Sequence, residues 1–234
     1  MTENASFTNT LQPSWKLVKN HLKFLLPAIV GSAVIFIVLQ EFQNRSENHT
    51  ILSLVAFVVS TVAGIAISLG WSNVILKFVR HSHATWSDFK TDTKVWVHYF
   101  LARIIYGIGS LVAISIAAVP LFMLIYLSMH TVVFLIIGTI VFICGLSLFA
   151  WLLTRYLFIS LVAIDHPTLN GWKLLKESAK ITKGHMWKLF GFILLITLIN
   201  IVGALFLIVG LAFTVPVTMI AVGYTYDHLK KHTK

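Results

Sequence analysis

The fold is decided by residues 187–226, WKLFGFILLITLINIVGALFLIVGLAFTVPVTMIAVGYTY, forty residues in which Lys188 is the only charged side chain. A membrane-spanning helix needs about 20 apolar residues, so this stretch is long enough for two. It divides near Val209 and Gly210, and Pro216 predicts a kink or tilt in the second span. A bilayer core offers no water to satisfy open backbone groups, so each span is predicted to be helical.

The remainder of the chain is equally apolar. Hydrophobic residues make up 58% of the 234 residues and charged residues only 11%, with a mean hydropathy of +0.88. Soluble domains carry about a quarter charged residues, so the composition excludes a soluble globular domain. We expect about six spans, which leave no long polar segment for an extramembrane domain.

The apolar runs predict one integral-membrane domain, 1–234, with an all-α fold: a polytopic bundle of about six transmembrane helices in three hairpins. A β-barrel is rejected because the runs lack alternating polarity. The region 95–164 is interpreted as two long helices that turn at Met129 and His130, with three shorter spans as the alternative. The predicted spans are 22–40, 51–76, 97–128, 131–156, 187–207 and 210–228.

Lysine and arginine fall on one side of this arrangement. Seventeen of the 18 lie in the N-terminal segment, the second and fourth connections and the C-terminus, and only Arg45 lies in the first connection. Cytoplasmic loops carry the excess of lysine and arginine, so both termini are predicted to be cytoplasmic.

Two polar segments that precede a span share a pattern. SWKLVKNHL begins at Ser14 and SAKITKGHM begins at Ser178, and both fit SxK(L/I)xK(N/G)H(L/M). HATWSDFK from His83 and HPTLNGWK from His166 form a second pair. The similarity indicates an internal duplication of a basic amphipathic helix followed by a hairpin, used three times. The alternative is convergence, because any helix that starts at the cytoplasmic surface favours lysine and tryptophan.

Interfacial amphipathic helices are predicted at 12–21 and 169–184. In the second helix the lysines fall within one arc of roughly 80 degrees, with Trp172, Leu175 and Ala179 outside it. We expect such helices to lie at the membrane surface with their lysines toward anionic headgroups, although a merely solvated face is the alternative. The candidate headgroup contacts on these helices are Lys16, Lys19, Lys173, Lys176, Lys180 and Lys183.

Arg103 and Arg155 are a further candidate contact. About 26 residues separate each from the turn near Met129, so antiparallel packing is expected to bring both to the same depth at the cytoplasmic boundary. Two arginines there would repel unless an anion lies between them, which favours a lipid phosphate site. The alternative is that each arginine reaches the interface independently.

Small residues recur every fourth position in two spans, as Ser60, Gly64 and Ser68 and as Gly109, Ala113 and Ala117. Such stripes let backbones approach closely, so they predict helix contacts. Asn200 is the one amide well inside a predicted span.

The stretch from Arg155 to Phe192, RYLFISLVAIDHPTLNGWKLLKESAKITKGHMWKLFGF, resembles the membrane-domain family found attached to some glycerophosphodiester phosphodiesterases, and its stand-alone YciC-like bacterial relatives. The resemblance implies a six-span protein of the bacterial inner (plasma) membrane with an undefined biochemical role. Phosphodiesterase activity in that family belongs to a separate soluble domain. The positions that carry the resemblance are Arg155, Tyr156, Asp165, Pro167, Ser178, Lys183, Gly184, Trp187 and Phe190, followed by Pro216, Tyr224, Tyr226 and Leu229.

No catalytic constellation is visible, and no cofactor, metal ion or nucleic acid is predicted to bind. The leading hypothesis is a non-enzymatic scaffold or auxiliary protein whose partners are membrane lipids, anionic in charge. The alternative is a passive transporter or lipid translocator built from the repeated hairpins. An intramembrane hydrolase ranks third. Protein partners are open, and a homo-oligomer is compatible with the sequence.

Overall fold

The computed structural model describes residues 10–46, 49–126 and 132–232. In these ranges every regular element is a helix, which confirms the all-α prediction. Between the helices Thr50–His81 and Thr93–Tyr126 lies a single turn of 3-10 helix, Trp86–Phe89. The longer helices, in chain order, are α1 (Leu11–Asn20), α2 (Leu22–Ser46), α3 (Thr50–His81), α4 (Thr93–Tyr126), α5 (Val132–Arg155), α6 (Ile159–Asp165), α7 (Gly171–Thr182), α8 (Met186–Leu205) and α9 (Leu207–His232).

Several helices within the described residues are long enough to span a membrane. Five stretches are long and apolar enough to cross a bilayer: Leu22–Ser46, Thr50–His81, Thr93–Pro120, Ile136–Asp165 and Met186–Leu205. The sixth predicted span, 210–228, lies within α9, which continues as a helix through Pro216.

The region from 95 to 164 contains two long helices, α4 and α5, followed by the short helix α6. This agrees with the first of the two interpretations of the sequence. The predicted turn at Met129 and His130 lies outside the described residues.

Three helical hairpins form the bundle, as predicted: α2 packs on α3, α4 on α5, and α8 on α9. α4 and α5 approach closely at Gly145, where a Cβ atom would lie 2.5 Å from the backbone nitrogen of Ala117. Ala113 and Ala117 are both buried. The stripe of small residues on α4 therefore marks a helix contact, as predicted.

The hydrophobic core lies at one end of the bundle, where the short helices α1, α6 and α7 pack against the long ones. Side chains of α1, α3, α6, α7 and α9 meet there, including the buried Val18, Phe78, Phe158, Ile181 and Tyr226. α9 occupies the middle of this arrangement, because it contacts α1, α2, α3, α7 and α8.

Away from this core the long helices expose large apolar side chains. Phe36, Leu111 and Leu205 are each more than 60% exposed. A surface of this kind is unfavourable in water and ordinary in lipid, where only the backbone has to be satisfied within the helix. The chain is therefore a multi-pass membrane protein.

Candidate functional site

α7 is fixed firmly to the end of the bundle. It starts at Gly171, where a Cβ atom would lie 2.9 Å from the carbonyl oxygen of His98 on α4, so only glycine permits this approach. The hydroxyls of Ser178 and Thr182 donate to the backbone carbonyl of Arg155, at 3.2 and 3.3 Å. That carbonyl belongs to the last turn of α5, which has no partner within its own helix, so α7 caps α5.

The opposite side of α7 forms an exposed basic face, defined by Lys173, Lys176, Lys180 and Lys183. Trp172 is also exposed, and its ring lies 5.7 Å from the Lys176 ammonium nitrogen. Glu177 approaches Lys180 at 3.9 Å, in an exposed pair one turn apart that contributes little energy. The arc predicted from the sequence is therefore a continuous surface of the folded protein.

The apolar residues of α7 lie in the protein core rather than at the membrane surface. Leu175 and Ala179, outside the predicted arc, are buried, as are Leu174 and Ile181. Packing within the protein therefore accounts for the amphipathic pattern, and Trp172 alone remains on the outside. The prediction that this helix lies at the membrane surface, with its lysines toward the headgroups and Trp172 as its anchor, stays a prediction.

α1 repeats the arrangement on a smaller scale. Leu17 and Val18 are buried, whereas Lys16 and Lys19 are exposed. The ring of Trp15 lies 6.5 Å from that of Phe213 on α9, so α1 is held against the last helix.

The two SxK segments occupy similar structural positions. Ser14 and Ser178 are both fully buried, and each segment ends near a histidine, His21 or His185, at the junction with a long helix. The hydroxyls differ in their acceptors, because Ser14 donates to the carbonyl of Thr10 in its own helix at 2.6 Å. Whether the two segments arose by duplication stays a prediction.

The second pair of similar segments adopts two different structures. In the first, Thr85 and Asp88 cap the 3-10 helix reciprocally, and Phe89 packs edge-on against Trp71. The Thr85 backbone N–H, assisted by Lys77, holds the pKa of Asp88 below its usual value. In the second segment, the tryptophan that corresponds to Phe89 is the exposed Trp172. The shared letters therefore do not encode a shared conformation.

The two candidate arginines each lie against an aromatic ring of their own helix. The guanidinium carbon of Arg155 is 4.7 Å from the ring centre of Trp151, and that of Arg103 is 5.9 Å from Tyr99. The Tyr99 hydroxyl also accepts a hydrogen bond from Arg103 at 3.4 Å. Binding of one anion between both arginines stays a prediction.

A cluster of charges around Asp165, not predicted from the sequence, joins three helices at the same end. Arg80 on α3 donates to both carboxylate oxygens of Asp165, at 2.8 and 3.0 Å. Tyr226 donates to Asp165 at 2.8 Å, and Lys230 pairs with the same carboxylate. Arg80 also bonds Asp227 at 3.2 Å. We call these five residues the aspartate cluster.

The aspartate cluster changes which basic residues are free to meet lipid. Arg80 and Lys230 are neutralised within it, and Lys231 pairs with Asp227 at 2.9 Å. The signal in the sequence was the position of Asp165 and Asp227 directly after apolar runs, in a chain with only eight acidic residues.

A groove opens between α3 and α4. The prediction that the small residues Ser60, Gly64 and Ser68 of α3 mark a helix contact is wrong at Gly64. Ser68 does contact α4, through a 2.8 Å hydrogen bond to Tyr99. Gly64, however, is exposed, and a Cβ atom there would meet nothing within 4 Å. Gly64 therefore borders open space instead of marking a close approach of two helices.

Asn200, the amide inside a span, has a partner across the last hairpin. Its side-chain nitrogen donates to the Thr218 hydroxyl on α9 at 3.2 Å. This bond joins α8 to α9, as polar side chains commonly do between membrane helices. A transport path through Asn200 stays a prediction.

Comparison of the chain with protein-family models, curated proteins and solved structures found no match. Function is therefore inferred from the residues and their geometry.

Proposed function

We propose that this chain is an inner-membrane scaffold or auxiliary protein that binds anionic phospholipid at its cytoplasmic face. It has six spans, with both termini in the cytoplasm, and belongs to the membrane-domain family that residues 155–192 resemble. The lysines and arginines, 17 of 18 on the side of the termini, support this orientation.

The observation that carries the proposal is the basic face of α7. Its apolar residues are held in the core, so the helix that carries the four lysines is already ordered before lipid binds. A lysine near an anionic membrane surface contributes about 1 kcal/mol of attraction. Trp172, exposed beside Lys176, adds an amphipathic ring of the type that sits at headgroup level.

Reversing the basic face should release anionic lipid. The variant K173E/K176E/K180E/K183E is expected to lose about half or more of the excess of anionic phospholipid that co-purifies in polymer-bounded native membrane discs, because attraction becomes repulsion. Phospholipid classes are quantified by mass spectrometry. The matched control, K173R/K176R/K180R/K183R, keeps the charge and should keep the lipid. Equal anionic lipid in the glutamate variant and the wild type would contradict the proposal.

The orientation has its own test. In a C144S background, the exposed Lys231 and Arg45 are replaced singly by cysteine and exposed to a membrane-impermeant maleimide. We expect K231C to react only in inverted vesicles and R45C only in intact spheroplasts. The reverse pattern would show that the termini are outside.

A further inference from the structure

The groove between α3 and α4 contains an arginine that lies well inside a helix of membrane-spanning length. It encloses about 350 Å³ and is walled by Ser60, Thr61 and Gly64 on α3 and by Phe100 and Arg103 on α4. Arg103 lies ten residues inside α4, in the stretch Thr93–Pro120 that is apolar enough to span a bilayer.

Arg103 lacks a counter-ion in the part of the chain that the structure describes. No carboxylate there lies within ion-pair distance of it, and its one hydrogen bond to a side chain goes to the neutral Tyr99 hydroxyl. A charged side chain within a membrane-spanning helix is unfavourable unless an anion, a dipole or water compensates it. Most of the five guanidinium N–H donors remain available for such an anion.

The groove wall supplies room and polarity for a ligand. Gly64 contributes no side chain, and nothing else fills the space beside it. The Ser60 hydroxyl is buried in this wall without a hydrogen-bond partner among the described residues, which is an unfavourable state for a polar group. An acceptor that enters the groove would satisfy both the arginine and this hydroxyl.

The surroundings of the groove identify the kind of ligand. Phe100 and Ile104 on α4 line it with exposed apolar side chains, and α3 also exposes apolar side chains such as Phe57. A ligand that enters from the bilayer therefore meets apolar surface along the helices and one guanidinium between them. A guanidinium binds phosphate oxygens in pairs, and a glycerophospholipid combines a phosphate with acyl chains.

We propose that this groove is a specific site for one glycerophospholipid, whose phosphate binds Arg103 and whose acyl chains lie along α3 and α4. The site is separate from the basic face of α7. It selects for the phosphate group, whereas the basic face of α7 responds to net negative charge of the membrane surface.

The test is native mass spectrometry of the full chain in detergent, titrated with dioleoylphosphatidylglycerol and, as a ligand without phosphate, with dioleoylglycerol. We expect one phosphatidylglycerol per chain to bind saturably and dioleoylglycerol to bind at least about tenfold more weakly. Arg103→Gln should weaken phosphatidylglycerol binding about tenfold, because it removes the charge-assisted bonds. Arg103→Lys keeps the charge without the paired donors, so its affinity for phosphatidylglycerol should lie between that of Arg103→Gln and that of the wild type.

Gly64→Leu fills the groove and leaves Arg103 itself unsubstituted. It should also weaken binding about tenfold, whereas the matched control Gly191→Leu, at an open position on α8, should not. Thermal unfolding identifies any variant that fails to fold. If Arg103→Gln is such a variant, the affinities of Arg103→Lys and Gly64→Leu test the proposal in its place. Wild-type affinity in Arg103→Gln or in a folded Gly64→Leu overturns the proposal.

Two further arms distinguish the groove site from a site for a free anion and from the basic face of α7. Inorganic phosphate at millimolar concentration should not displace the lipid, and displacement would show a site for a free anion instead. The variant K173E/K176E/K180E/K183E should keep the saturable lipid. Loss of the saturable lipid in this variant would assign the bound lipid to the basic face of α7 and overturn the groove site, whatever the outcome for the proposed function.

Discussion

Replacement of Asp165 by asparagine is expected to lower the free energy of unfolding by about 2–3 kcal/mol. The change removes the carboxylate that Arg80, Lys230 and Tyr226 share, so that Lys230 faces a neutral amide and Arg80 keeps only its bond to Asp227. Breaking a fully buried ion pair costs about 3–5 kcal/mol. Arg80 keeps about a third of its side-chain surface exposed, so water recovers part of that cost.

The free energy is measured by titrating the purified protein in mixed micelles with dodecyl sulfate. Glu41→Gln is the matched control, because Glu41 pairs with Arg45 on an exposed helix surface and should contribute about 0.5 kcal/mol or less. The double variant Asp165→Asn with Lys230→Met should lose less than the sum of the single variants, because both act on one carboxylate. If Asp165→Asn were no less stable than Glu41→Gln, the aspartate cluster would not be holding α3, α6 and α9 together.

A second large loss of stability is expected for Gly145→Ala. The new methyl group would lie 2.5 Å from the Ala117 nitrogen and 2.8 Å from its Cα, where ordinary contacts need about 3.5–4 Å. The neighbouring atoms are backbone, which cannot rotate away, so α4 and α5 would have to separate. Overpacking of this kind costs about 1–3 kcal/mol, and α4 and α5 should lose contacts along their shared length.

Gly191→Ala isolates the steric effect, because the same change on α8 meets nothing within 4 Å. Its stability should equal or exceed that of the wild type, since alanine is the better helix former. Both variants are compared in the same dodecyl sulfate titration. Equal stability of the two would mean that the α4–α5 crossing is looser than the distance at Gly145 indicates.

The sequence predicted features that depend on a short stretch of chain. The spans require only about 20 consecutive apolar residues, and the basic face of α7 requires only the spacing of four lysines. Five apolar stretches of spanning length are present in the structure, and the four lysines form one exposed face. The small residues on α4 likewise predicted a helix contact at Ala117, although nothing in the pattern named Gly145 as the partner.

Features that depend on the register between distant segments were not predicted. The aspartate cluster brings Arg80 to a carboxylate 85 residues further along the chain, and no local period encodes that pairing. Gly64 shows the same limit, because a small residue permits close packing but does not require it. On α3 the same four-residue spacing of small residues lines a groove at Gly64.

The contact between α1 and α9 has a consequence for the biogenesis of the protein. Leu17 and Val18 are synthesised early, yet the helix that covers them, which begins at Leu207, emerges nearly two hundred residues later. Until α9 has been inserted, the apolar side of α1 therefore stays uncovered by the helix on which it packs in the folded protein. Long-range contacts of this kind form last and leave apolar surface open to wrong partners meanwhile. Docking of α9 is thus the step that covers α1 and completes the bundle.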